Sequence, residues 1–208
     1  MPHECGAEPT AVYGARMAPR RHDAIVLAGG RSSRLGGGDK LTLQREGRSL
    51  LSYAVAALPD AERIVVVGPP DAGIDDPRVT WCREDPPFAG PLIAITEALR
   101  HVAADTVVVL AGDQPAAAPA IPRLLAALAG AESADAAVLI DADGVRQPLT
   151  AAYRTAWLLE RTAPAPWGSG MRSLLRGTDV VEVPDEWGAA ADLDDAGDAR
   201  RLGFHPDA

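Results

Sequence analysis

Residues 27–40 of this 208-residue chain read Leu-Ala-Gly-Gly-Arg-Ser-Ser-Arg-Leu-Gly-Gly-Gly-Asp-Lys, and the run ends on Lys40, the only lysine in the sequence. Glycines let backbone N–H groups approach a ligand closely, and a lysine ammonium is a compact charge on a flexible stem. The pair Gly29 and Gly30, followed by Arg34 and Lys40, therefore suits a triphosphate lying over the loop. The run lacks both the G-x-G-x-x-G of dinucleotide folds and the G-K-[ST] of a P-loop, which disfavours a dehydrogenase or a kinase.

Two aspartates are candidates for metal binding. Asp113 follows a strongly apolar run, and Pro115 ends strand pairing there, so the carboxylate is expected to project into a crevice. A carboxylate in that place can hold Mg²⁺, whose coordination is completed by water and nucleotide phosphates. Asp85 follows the preceding strand candidate and is predicted to be a second acidic group near the same ion.

Two further segments have anion-binding character. Gly90 and Pro91 form a turn into a helix, whose first N–H groups are available to an anion. Arg172 lies near the start of a short predicted helix and is a candidate anion contact. The four histidines form no metal-ligand pattern, which argues against a zinc site.

These groups follow the ends of predicted strands in an alternating α/β pattern. Short β-branched runs predict strands at residues 23–28, 63–68, 79–82, 106–111 and 136–140, with helices at 49–58, 91–102 and 119–128. Such alternation indicates an α/β fold with a single doubly wound, mainly parallel sheet, whose ligand crevice lies at the carboxyl ends of the strands.

The remainder of the chain is less regular. Residues 147–153 are predicted to form an edge strand, residues 155–161 and 171–175 short helices, and residues 180–183 a final strand, together a substrate-covering C-terminal subregion on the same sheet. Residues 1–22 lack periodicity and are expected to be a flexible tail. Residues 23–208 would then be one domain.

Composition excludes several classes of function. The formal charge of −9 argues against nucleic acid or an anionic membrane as a partner, since both require a basic surface. No apolar run approaches the roughly 20 residues that span a bilayer. The two cysteines and the lack of an export signal predict a cytoplasmic protein.

Taken together, the motifs resemble the molybdenum cofactor guanylyltransferase family, within the wider nucleotidyltransferase superfamily. The most specific part is LAGGRSSRLGGGDK, where aspartate before lysine is similar to the guanylyl branch; the cytidylyl branch more often has proline there. Supporting parts are Glu-Asp at 84–85, Gly-Pro-Leu at 90–92, Gly-Asp-Gln-Pro at 112–115, Gln-Pro-Leu at 147–149, Arg-Ser-Leu-Leu at 172–175 and Asp-Leu-Asp-Asp at 192–195.

The resemblance implies a Rossmann-like nucleotidyltransferase fold and transfer of GMP from Mg-GTP to the terminal phosphate of molybdopterin, with release of pyrophosphate. It implies Mg²⁺ as the cofactor, with Mn²⁺ as an alternative, and transient contact with molybdoenzyme maturation proteins. Lys40, Arg34 and Asp113 would be catalytic, with Asp113 and Asp85 on the metal. The residues expected to bind the nucleotide are Leu27, Ala28, Gly29, Gly30, Arg34, Lys40, Gly68 and Asp85. The residues expected on the acceptor side are Gly90, Pro91, Arg172 and Asp194.

Three alternatives stay open. Gly68 offers only backbone where family members often have asparagine, so a cytidylyltransferase acting on the same pterin is the second candidate. A sugar-phosphate nucleotidyltransferase is the third. A nucleotide-binding module without catalysis is disfavoured because both Lys40 and Asp113 are present.

Overall fold

The computed structural model describes residues 21–29, 40–71, 73–163 and 170–206. In chain order the strands are β1 Asp23–Leu27, β2 Gln44–Arg45, β3 Arg48–Ser49, β4 Ile64–Val67, β5 Val79–Cys82, β6 Thr106–Ala111, β7 Ala136–Ile140, β8 Arg146–Arg154 and β9 Val180–Pro184. The helices are α1 Leu50–Ala56, α2 Pro91–Leu99, α3 Ala120–Gly130, α4 Thr155–Thr162 and α5 Ala196–Leu202. Single 3₁₀ turns cover Lys40–Thr42 and Met171–Ser173.

Seven strands form one sheet in the order β5-β4-β1-β6-β8-β7-β9. Strand β1 pairs in parallel with β4 on one side and β6 on the other. The chain runs outward from β1 to β5 and then returns to β6, so the carboxyl end of β1 is a switch point, where ligands bind in open α/β sheets. The predicted doubly wound, mainly parallel sheet is confirmed.

Strand β8 runs against its neighbours and was wrongly predicted to lie at an edge. It pairs antiparallel with β6 and with β7, so it is an interior strand. Its buried stretch Thr150–Tyr153 explains this position, because an interior strand of a covered sheet has no solvent face. The region after residue 140 therefore supplies two strands, β8 and β9, to the main sheet.

Helices cover both faces of the sheet. Alternate residues of β1 face opposite layers: Ala24 and Val26 pack in the core that contains α1, α3 and α5, whereas Ile25 and Leu27 pack in the core that contains α2 and α4. This alternation follows from the two-residue repeat of a strand. Because both layers are apolar, the sheet is held firmly and its carboxyl edge is a rigid platform for the loops.

Sequence analysis missed two elements and misjudged the ends or the type of others. The hairpin β2–β3 and helix α5 were not predicted, and residues 171–175 form a 3₁₀ turn at Met171–Ser173 instead of a helix. Pro91 occupies the first turn of α2 as predicted, whereas Pro119 is the cap that precedes α3. Among the described residues, no helix has both the length and the apolar character that crossing a membrane requires.

The missed hairpin is attached to the C-terminal segment. Gln44 N–H donates to the His205 carbonyl at 2.7 Å, and His205 N–H donates to the Gln44 carbonyl at 2.9 Å. The Arg45 guanidinium lies 4.3 Å from the ring centroid of Tyr53 and 4.8 Å from that of Phe204. These contacts hold the segment that follows Lys40 against the end of α5.

Candidate active site

Two oppositely charged side chains meet at the carboxyl edge of the sheet. Lys40 Nζ donates a hydrogen bond to Asp113 Oδ2 at 2.5 Å, although the residues are 73 positions apart. Lys40 begins a 3₁₀ turn, and Asp113 lies just past the end of β6. Only 17% of the lysine side chain and 19% of the aspartate side chain are exposed. The structure thus brings together the two residues that the sequence singles out for phosphate and metal binding.

A second carboxylate reaches the same ammonium. Asp194 Oδ1 lies 3.2 Å from Lys40 Nζ, and 51% of the Asp194 side chain is exposed. Its loop is fixed by the backbone, because Leu193 N–H donates to the Asp113 carbonyl at 3.2 Å. The Asp198 carboxylate also accepts the Asp194 N–H, at 3.2 Å. The acceptor-side role predicted for Asp194 stays a prediction, and its observed position is beside the Lys40–Asp113 pair.

Asp192 completes what we call the carboxylate cluster, formed by Asp113, Asp192 and Asp194. Burial raises the pKa of the Asp192 carboxyl above its usual value, and the charges of Asp194 and Asp113 raise it further, while Lys40 acts in the opposite direction. Burial by itself lowers the pKa of the Lys40 ammonium, but the charges and hydrogen bonds of Asp113 and Asp194 outweigh burial and raise it. Among these four groups, three carboxylates face one ammonium, which leaves two negative charges unbalanced.

Sequence reasoning missed the contribution of residues 192 and 194 to this cluster. The available signal is the alternation Asp192-Leu193-Asp194, in which the central leucine is fully buried. In an extended segment, burial of the middle residue turns its two neighbours to the opposite side. The pattern could have predicted two carboxylates on one side of a loop, but not that Lys40, 154 residues away from Asp194, faces them.

A cavity of about 400 Å³ lies beside the cluster. Its walls include the predicted nucleotide-side residues Leu27 and Gly29, the predicted acceptor-side residues Gly90 and Pro91, and Asp113. The predicted sites therefore share one space at the switch point of the sheet. The cavity is also lined by Val67, Glu84, Phe88, Ala94, Ala111 and Leu149, which the sequence did not single out as ligand contacts.

Gly68 and Gly112 allow neighbouring strands to approach the end of β1. A Cβ built on Gly68 would lie 2.6 Å from the Ala28 carbonyl oxygen, and one built on Gly112 would lie 3.0 Å from the Leu27 carbonyl oxygen. The first distance is shorter than any real contact of that kind, so a side chain at Gly68 would push β1 and β4 apart. Gly68 and Ala28, both predicted nucleotide residues, thus shape the crevice through their backbones.

Of the other predicted site residues, one does not line this cavity and three lie wholly or partly outside the described structure. Asp85 is exposed, and its neighbour Glu84 lines the cavity instead. Gly30 and Arg34 lie outside the described residues. Arg172 lies in the turn Met171–Ser173, and its side chain is outside the described part of the structure. The roles predicted for these four residues stay predictions.

The carboxylates do not form a complete metal cage. Within residues 21–29, 40–71, 73–163 and 170–206, no group of three or more His, Cys, Asp or Glu side chains is arranged to hold an ion by itself. Carboxylate oxygens nevertheless suit Mg²⁺, which usually takes only one or two of them and fills its other positions with water and substrate phosphates. The donor set therefore fits a magnesium ion that arrives with a nucleotide.

Comparison with known proteins agrees with this architecture. Residues 24–183 match the sequence profile of the MobA-like NTP transferase domain. The molybdenum cofactor guanylyltransferase of Shewanella sp. (strain ANA-3) is 30% identical over 134 residues, which is 60% of this chain. That match spans 64% of the Shewanella protein, slightly less than two thirds of its length.

Solved structures share the fold at lower identity. Molybdopterin-guanine dinucleotide biosynthesis protein A from Archaeoglobus fulgidus superposes with a TM-score of 0.67 at 19% identity, over 86% of this chain and 95% of that one. The 2-C-methyl-D-erythritol 4-phosphate cytidylyltransferase from Thermus thermophilus superposes with a TM-score of 0.64 at 22% identity, over 87% and 96%. Proteins named for guanine and for cytidine nucleotides thus share this architecture, so the fold alone does not identify the base.

Proposed function

Since the chain belongs to the MobA-like NTP transferase family, we propose that it is a nucleotidyltransferase that moves GMP from Mg-GTP to the terminal phosphate of molybdopterin. The observation that carries the proposal is the Lys40–Asp113 ion pair beside a cavity at the switch point of the sheet. The name of the Shewanella relative supports the choice of nucleotide and acceptor. Hand-over of the product to molybdoenzyme maturation proteins is part of the same proposal.

Lys40 has two carboxylate partners that the phosphates of a nucleotide can replace. Asp113 and Asp194 now accept the hydrogen bonds of the ammonium. When a triphosphate enters, its oxygens compete for Lys40 Nζ, because phosphate oxygens are strong acceptors of charged hydrogen bonds. Exchange of partners would leave the carboxylates available to a cation. Lys40 thereby keeps a neutralising partner with and without nucleotide.

Asp113 is the residue we assign to the metal, with Asp194 beside it. Counting only Lys40 and the three carboxylates of the cluster, the excess of negative charge is one that a divalent cation would offset. When bound, Mg²⁺ would neutralise charge on the phosphates and hold them in a fixed geometry. The predicted participation of Asp85 is retained in the proposal, although its side chain is exposed.

The reaction needs positioning more than covalent chemistry. A terminal phosphate oxygen of the acceptor attacks the α-phosphorus, the bond from that phosphorus to the bridging oxygen breaks, and pyrophosphate leaves with the electron pair. Gly29 and Gly90 line one cavity, so the reacting phosphates of the two substrates could meet there. Lys40 would offset the charge that develops on the phosphates, and Arg34 is proposed to act near the leaving group.

Calorimetric titration of GTP, CTP and ATP in the presence of magnesium tests the nucleotide. We expect GTP to bind most tightly, and Lys40→Ala to weaken binding about tenfold or more, since a hydrogen bond to a charged group contributes about 1.5–3 kcal/mol. A preference for CTP would identify the cytidylyl alternative. Absence of binding to all three nucleotides would overturn the proposed function.

The metal assignment is tested by turnover of Asp113→Asn with GTP and molybdopterin. Loss of one preorganised contact lowers the rate by about a hundredfold or more, so we expect that loss in a variant that is still folded at the assay temperature. Asp143→Asn is the matched control, because Asp143 is exposed in the turn between β7 and β8. A folded Asp113→Asn protein with parental activity would overturn the assignment.

A further inference from the structure

Phe88 is the most exposed large apolar side chain among the described residues, with 51% of its surface accessible. It contributes to the cavity that also contains Gly29, Gly90 and Asp113. A ligand that is held by the carboxylate cluster and fills this cavity would therefore contact an aromatic ring. Among the described residues, Phe88 is a member of neither of the two apolar cores, so packing of the sheet does not account for the position of its ring.

The backbone of Phe88 is held in an unfavourable conformation. Its φ is 65°, in the left-handed region that aromatic residues rarely adopt. Glu46, the other described non-glycine residue with positive φ, is explained by the two-residue turn Glu46–Gly47 between β2 and β3. Phe88 lies in no such hairpin. Conformations of this kind cluster at ligand sites, where surrounding contacts maintain them.

Two neighbours fix the segment. Phe88 N–H donates to Glu84 Oε1 at 2.8 Å. The Arg83 guanidinium carbon lies over the Phe88 ring, 5.6 Å from its centroid. Glu84 itself lines the cavity, so the hydrogen bond ties the position of the ring to the cavity wall. These contacts therefore fix the position of the Phe88 ring at the cavity wall.

We propose that Phe88 is a specificity-determining residue that stacks on the planar fused heterocycle of a substrate. Aromatic side chains bind such rings through their π faces, with offset or edge contacts. The apolar walls formed by Leu27, Val67 and Leu149 suit a flat ring, while Asp113 lies where the phosphates would be. This inference rests on the proposed function for the identity of the ring, which is either the purine of GTP or the pterin of the acceptor.

The test is calorimetric titration of the full chain with Mg-GTP, with neopterin as a simple pterin, and with Mg-tripolyphosphate, which has no ring. Loss of one stacked aromatic weakens binding by between about fivefold and a hundredfold. We expect Phe88→Ala to show that loss for Mg-GTP or for neopterin, with binding of tripolyphosphate unchanged. The ligand that loses affinity identifies the ring that stacks.

Matched variants separate stacking from structure. Phe88→Tyr keeps the ring and should restore affinity, whereas Phe88→Leu keeps apolar volume without a π face and should not. Leu159→Ala is the control for loss of an exposed apolar side chain, since Leu159 is 47% exposed on α4 and does not line the cavity. Equal affinities of Phe88→Ala and the parent, or an equal loss for tripolyphosphate, would overturn the proposal.

The same data distinguish this inference from the proposed function. A parent protein that binds a ring ligand through Phe88 but does not transfer GMP would overturn the proposed reaction and leave stacking supported. A parent that transfers GMP while Phe88→Ala binds and turns over equally would overturn stacking alone. A parent that binds neither Mg-GTP nor neopterin would overturn both.

Discussion

Replacing Lys40 by methionine removes the ammonium from the carboxylate cluster and keeps most of the apolar stem. Exposed ion pairs contribute about 1 kcal/mol or less, whereas removing one partner of a buried pair costs about 3–5 kcal/mol. The Lys40 and Asp113 side chains are largely buried, while Asp194 is half exposed. The site lies between these limits, and we expect Lys40→Met to lower the free energy of unfolding by about 2 kcal/mol near pH 8.

The loss of stability caused by Lys40→Met should become smaller as the pH falls. The pKa of the Asp192 carboxyl is raised by burial, Asp194 and Asp113, and it would rise further without the opposing effect of Lys40. A carboxyl with a higher pKa in the folded than in the unfolded protein binds its proton more tightly when folded, so the variant recovers stability as pH falls through the folded pKa toward about 4.

The contribution of Lys40 to the stability of the parent is constant over the same range. The pKa of Lys40 is raised in the folded protein, so its stabilising effect is fully present below the ordinary lysine pKa and is lost only as pH rises through the folded value. The difference in stability between parent and variant should therefore be widest near pH 8 and narrow as the solution is acidified.

Urea unfolding followed by circular dichroism, at several values between about pH 5 and pH 9, measures this difference. Lys40→Arg is the control that keeps the charge; it should retain most of the stability but bind Mg-GTP less well, because a planar guanidinium replaces a compact ammonium. A Lys40→Met variant as stable as the parent at pH 8, or a difference that is the same at pH 5, would refute the reasoning.

Two further predictions concern the surroundings of the cavity. Gly68→Ala would put a Cβ 2.6 Å from the Ala28 carbonyl oxygen, so we expect the free energy of unfolding in urea to fall by about 1–3 kcal/mol and Mg-GTP to bind more weakly. Gly130→Ala is the control, because nothing lies within 4 Å of its new Cβ. Equal stability of the two variants would contradict the argument. Burial, with two nearby glutamates, raises the pKa of the Cys82 thiol to about 11, so in a Cys5→Ser background iodoacetamide at pH 8 should react about a hundredfold more slowly than with an ordinary thiol. A native rate equal to that of the urea-unfolded chain would show that the thiol is not shielded.

The local pattern of the sequence was sufficient to predict most strands of the sheet. Strands β5, β6 and β7 begin and end where the β-branched runs do, at residues 79–82, 106–111 and 136–140. These runs are short and bounded by turn residues, so their limits are visible without tertiary information. Lys40 and Asp113 could be singled out for a similar reason, because each directly follows a strand or its loop at the ligand-binding edge.

Features that depend on contacts between distant parts of the chain could not be predicted from the local sequence pattern. The interior position of β8 arises from its pairing with β6 and β7, which periodicity alone cannot report. The hairpin β2–β3 has two residues in each strand, too few for a pattern. The position of Asp194 beside Lys40 is likewise set by contacts across 154 residues.

The attachment of the β2–β3 hairpin to His205 and Phe204 has a consequence for how the protein folds. The chain must be complete through these residues before Gln44 can form its bridge with His205 and Arg45 can contact the ring of Phe204. Contacts of such large sequence separation form late, because the loop-closure entropy must be overcome first. During synthesis the parallel core can assemble early, while capacity to bind nucleotide should appear only after the last helix has docked.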